Sequence, residues 1–71
     1  MWIPTKSINY KPVSYHHEGD KVKRDYKYRD GYDYEYGHVV EVNEDEIVID
    51  WDMYGMESHD IEDANKYVYP V

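Results

Sequence analysis

Two β-branched runs dominate the pattern of apolar and polar positions. Gly37-His38-Val39-Val40-Glu41-Val42 and Glu46-Ile47-Val48-Ile49-Asp50-Trp51 are separated by the polar Asn43-Glu44-Asp45. Alternation at period two marks a strand with one buried face, so Ile47, Ile49 and Trp51 are expected to share one face and Val48, Asp50 and Asp52 the other. The adjacent Val39 and Val40 break the alternation, as a bulged strand does. Upstream, Gly19-Asp20 opens a turn and Lys21-Val22-Lys23 predicts a short strand whose lysines face water. Asp25 to Tyr36 is rich in Tyr, Asp and Gly. It predicts a long loop, which the turn signal Asp30-Gly31 can pinch into a hairpin. Downstream, Asp52-Met53-Tyr54-Gly55 predicts a tight turn and Met56 to Asp60 a short strand. Ile61 to Asn65 predicts a single helical turn with Asp60 as N-cap, and Tyr67-Val68-Tyr69 a last strand closed by Pro70. Before Gly19, Pro4 and Pro12 disfavour a helix and no period is sustained, so residues 1–18 are expected to form an extended arm.

The expected architecture is therefore all-β: a small five-stranded barrel over residues 19–71, with one helical turn before the last strand and the arm in front. At 71 residues the chain supports one core. A domain of that size buries only about 60% of its unfolded surface, so a few large side chains must carry it. Here these are Trp2, Trp51 and ten tyrosines. The absence of cysteine excludes disulfides, thiolate catalysis and zinc–thiolate sites, and fits a reducing, cytoplasmic setting. Met1 to Lys6 has no signal-peptide features, and no apolar run approaches the ~20 residues of a membrane span. The chain is expected to be soluble.

Charge sharpens this picture. The net charge is −8, and it is unevenly spread: residues 1–36 hold seven basic and six acidic side chains, residues 37–71 one basic and ten acidic. Such a field disfavours direct binding to a phosphate backbone and favours approach to a basic protein surface. Lys21, Lys23, Arg24, Lys27 and Arg29 alternate with Tyr26 and Tyr28 as in single-strand nucleic-acid binders, but Asp25, Asp30, Asp33 and Glu35 dilute them. His16, His17, His38 and His59 lack the spacing of a metal site and are expected at the surface. No nucleophile elbow or phosphate-cradling glycine loop is present, so no catalysis, cofactor or metal is expected.

Three segments together resemble a Tudor domain, one of the SH3-like small barrels. Gly19-Asp20-Lys21-Val22 is similar to the family's opening strand and Gly37 to Val42 to its second. Ile47-Val48-Ile49-Asp50-Trp51-Asp52-Met53-Tyr54-Gly55-Met56-Glu57 is similar to the run that ends in its Tyr-Gly turn. The resemblance spans Gly19 to about Tyr69. In the methyl-reading members an aromatic cage holds a diffuse cation by its π faces. The resemblance places such a cage on Tyr26, Tyr34 or Tyr36, Trp51 and Tyr54. Met53 and Met56 stand where the family carries Asp and Asn, and that Asn helps orient the cation.

Two functional classes follow. In the first, an aromatic groove between the Asp25–Tyr36 loop and the Trp51–Gly55 turn captures a basic or cationic protein segment. Tyr26, Tyr34, Tyr36, Trp51 and Tyr54 line it, and Asp50 and Asp52 flank it. The phase of Trp51 with Ile47 and Ile49 favours core packing for that ring. In the second, the chain is an inhibitor of the kind phages make. Its acidic face of Glu44, Asp45, Glu46, Asp60, Glu62 and Asp63 would mimic nucleic acid and block a DNA- or RNA-binding protein. A structural subunit anchored by Trp2-Ile3 ranks below both.

Overall fold

The structure, a computed structural model, describes residues 12–26 and 33–71. Five antiparallel strands form one sheet: β1 (Lys21–Tyr26), β2 (Asp33–Val42), β3 (Glu46–Trp51), β4 (Gly55–Asp60) and β5 (Tyr69–Pro70). A short helix, α1 (Ile61–Tyr67), precedes β5. The order across the sheet is β4-β3-β2-β1-β5. The sheet is not closed, because β5 pairs with β1 over only Val22 and Lys23, and β4 pairs with β3 alone.

Alternation builds the core as the pattern predicts. Ile47, Ile49 and Trp51 are buried on β3 and meet Val39 of β2 and Val22 of β1. Val39 pairs with Ile49 and Glu41 with Val48, so Val40 is the extra residue of a bulge. Val42 returns to the core side and packs against the cluster. Gly37 lies directly opposite Trp51, and there a Cβ would stand 2.7 Å from the Asp50 carbonyl oxygen and 2.8 Å from Trp51 Cε3. Only glycine lets the indole lie across β2 at this point.

Two turns use glycine for its freedom at positive φ. Gly19, at φ 87°, is the third residue of the turn closed by the Asp20 N–H donating to the His17 carbonyl at 3.0 Å. Gly55, at φ 79°, ends the Asp52–Tyr54 turn. Both turns match their sequence signals.

Three elements differ from expectation. Both ends of the expected loop from Asp25 to Tyr36 are strand: β1 continues to Tyr26 and β2 starts at Asp33. The turn signal Asp30-Gly31 lies outside the described residues, as do Tyr28 and Tyr32. The helix runs for seven residues rather than one turn, with Ile61 and Ala64 buried on one face and the buried Val68 following it in extended conformation. Consequently the last strand starts at Tyr69, two residues later than expected. Asp60 is the N-cap residue, yet its side chain makes no capping hydrogen bond.

The segment before β1 docks on α1. The Asn65 side chain donates to the Val13 carbonyl at 2.8 Å and accepts the Tyr15 N–H at 2.9 Å. His16, expected at the surface, is buried, with Nε2 3.0 Å from the Val68 carbonyl oxygen. That carbonyl follows the helix and would otherwise be left without a donor.

Candidate functional site

Beyond the apolar core, the inner face of the sheet turns polar. Arg24 of β1 and Glu35 of β2 are direct cross-strand partners. The Arg24 guanidinium donates from Nε to Glu35 Oε1 at 2.8 Å, and Nη2 lies at the same distance from that oxygen. It also donates from Nη1 to Glu57 Oε1 of β4 at 2.9 Å. Its plane covers the Trp51 ring at 4.1 Å, with Tyr54 at 5.8 Å. The Met53 N–H donates to the other Glu35 oxygen at 3.3 Å, which ties the β3–β4 turn to the same carboxylate. β1 and β4 are separated by two intervening strands, about 14 Å in a flat sheet. A direct ion pair between them requires the sheet to be rolled, so side chains bridge a gap that backbone pairing leaves open.

Electrostatics follow from this packing. Burial acts to lower the Arg24 pKa, but hydrogen bonds and charge from Glu57 and Glu35 outweigh it and leave the group above its ordinary value. The hydrogen bond from Arg24 is the main cause that holds Glu57 below the usual carboxylate value, against desolvation and with help from His59. His59 Nε2 lies 3.2 Å from both the Trp51 indole nitrogen and Glu57 Oε1. One nitrogen cannot accept from the indole and donate to the carboxylate at once. The indole N–H needs an acceptor and the carboxylate a donor, so the two compete for this nitrogen.

The residues expected to form one aromatic groove divide between two faces. Trp51 is in the core and its ring is occupied by Arg24, with Tyr54 beside it. Tyr34 and Tyr36, 42% and 47% exposed, lie on the outer face. The phase of β3 places Asp50 on that face too. Tyr36, His38 and Asp52 line a hollow of about 500 Å³ together with Gly19, Lys21 and Val71. The Lys23 ammonium sits 4.3 Å from the centre of the Tyr34 ring. The side chain of Tyr26 lies outside the described residues.

Of the acidic residues, Glu44 and Asp45 form the β2–β3 turn, Glu46 begins β3, Asp60 ends β4 as the N-cap of α1, and Glu62 and Asp63 lie in the first turn of α1. The Ile61 N–H donates to the Asp45 carbonyl at 3.2 Å, and Glu46 is paired across strands with Asp60. Like charges directly opposite destabilise a sheet, so this end of the molecule is built against its own electrostatics.

Sequence reasoning missed Arg24, Glu35, Glu57 and His59. The available signal was the alternation of Arg24 with Lys23 and Asp25, and of Glu35 with Tyr34 and Tyr36, which puts a charged residue where a core residue stands. It also missed a second hollow, of about 410 Å³, lined by Arg24, Asp25, His59, Asp63, Tyr67, Val68 and Tyr69. No protein-family model, curated protein or solved structure matches the chain.

Proposed function

We propose that this chain is a small non-catalytic binding module that engages a basic protein surface or cationic peptide through its outer sheet face. The observation that carries this reading is that α1 and the His16 segment both pack on the inner face. Among the described residues Tyr34, Tyr36 and Met56 are exposed outside, with only the Lys23 side chain lying on the Tyr34 ring. Tyrosines offer large contact area at low ordering cost, and Asp52 beside Tyr36, with Asp50 between His38 and Met56 on the same face, complements a cation. The contact of Lys23 with Tyr34 is an internal example of the chemistry.

Five antiparallel strands with a helix before the last support an SH3/Tudor-like reading of the fold. In this reading the partner's cation is received at Tyr36 and Asp52, because Arg24 already lies on Trp51. The test is capture from the native host by the wild-type chain and by a Tyr34→Ala/Tyr36→Ala variant, with the fold checked by circular dichroism. Basic proteins retained by the wild type should be lost with the variant. Equal capture by both would reject the outer face.

A second reading is favoured by the cross-strand pairing of Glu46 with Asp60: the acidic end acts as a nucleic-acid mimic. Binding would then weaken steeply between low and high salt and survive the tyrosine substitutions.

A further inference from the structure

We propose that the unclosed seam between β1 and α1 is a second binding groove, which takes an arginine side chain carried on an extended partner segment. The inference rests on the reading of the chain as a module for cationic partners, but it concerns different residues. The hollow of about 410 Å³ lies where closure of the sheet fails. Lys23 pairs with Tyr69, so a continued β5 would put Tyr67 opposite Asp25, but Tyr67 belongs to the helix. The Val71 N–H donates to the Lys21 carbonyl at 3.3 Å, which shows that the main-chain groups of Lys21 face β5. Alternation turns those of Lys23 and Asp25 to the same edge. A strand entering here would meet Asp25 where β5 no longer covers it, the mode of recognition known as strand addition.

The lining chooses the side chain. Asp25 and Asp63 are exposed at the groove, and Tyr67 is 63% exposed beside them. Among the described residues the one Lys or Arg in the lining, Arg24, is already held by Glu35 and Glu57. Among the described residues four carboxylates, Asp25, Glu35, Glu57 and Asp63, thus stand in or directly behind the groove around one guanidinium, a field that favours a further positive group. A guanidinium suits the site because it stacks on a tyrosine face while its fork meets a carboxylate. The packing of Arg24 on Trp51 between two carboxylates is the same arrangement made within the chain.

The test is an amide chemical-shift titration of the full-length nitrogen-15-labelled chain with a capped pentapeptide of alternating valine and arginine. Its neutral isostere, with citrulline for arginine, is run in parallel. Shifts are expected at Asp25, His59, Asp63, Tyr67 and Tyr69, with the citrulline peptide at least tenfold weaker. Asp25→Asn/Asp63→Asn should weaken arginine-peptide binding at least tenfold, and Tyr67→Ala should weaken it while the other amide positions stay unchanged. Equal binding of the citrulline peptide would overturn the seam. So would shifts confined to Tyr36, His38 and Asp52, an outcome that leaves the outer-face reading standing. Absence of shifts anywhere would count against both.

Discussion

A carboxylate at 2% exposure, as at Glu35, is tolerated only when its oxygens are satisfied. Arg24 serves one oxygen and the Met53 N–H the other, and every buried side-chain nitrogen or oxygen among the described residues has a partner. Removing one member of such a pair is worse than removing both, because the survivor is left charged in a dry place. Arg24→Met is therefore expected to destabilise the fold by about 3–5 kcal/mol. That is a large share of what a domain this small possesses. Arg24→Met/Glu35→Leu should recover much of the loss. Urea denaturation of the two variants checks the ordering, and a single variant as stable as the double would show that the pair is not desolvated.

At the scale of elements, α1 closes the core with one face and holds the preceding segment with the amide of Asn65. The amide serves as a short stretch of main chain, one donor and one acceptor matched to Val13 and Tyr15. Asn65→Ala should cost about 1–2 kcal/mol for the two bonds. It should also raise hydrogen exchange at Tyr15 and His16 while β2 and β3 stay protected. Unchanged exchange at those two amides would mean that His16 alone anchors the segment. Asn65 also shows what the sequence could convey. The strands of the core were legible because Val39, Ile47, Ile49 and Trp51 obey one period and nothing competes with it. The β1–β2 hairpin was obscured because its inward positions, Arg24 and Glu35, are charged, and a period-two pattern counts only apolar residues. The helix was cut short because Asn65 resembles a terminator, whereas its polarity is used sideways, toward a segment fifty residues earlier. Of the candidate groove, the exposed tyrosines were legible from their number. Their division between faces was not, since it depends on where β2 begins.

For the whole molecule, the decisive feature is that, among the described residues of a strongly acidic chain, one guanidinium bridges β1 and β4 of the rolled sheet. Arg24 links β1 to Glu35 on the next strand and to Glu57 at the far edge, so the roll is sensitive to whatever neutralises Glu57. Acid acts on this bridge through Glu57. Its pKa in the fold lies below the ordinary 4.5, so the unfolded chain binds its proton first. Its contribution is fully present above that ordinary value and is lost as pH falls through the lower, folded one. Stability should therefore fall on acidification below about pH 4.5, where the unfolded chain begins to take the proton. Glu57→Gln should be less stable than the wild type at neutral pH, and the gap should narrow as pH falls below that value. Thermal denaturation of both proteins across this range separates the local bridge from the global charge. A gap that stays constant with pH would show that the Arg24–Glu57 pair does not hold the roll.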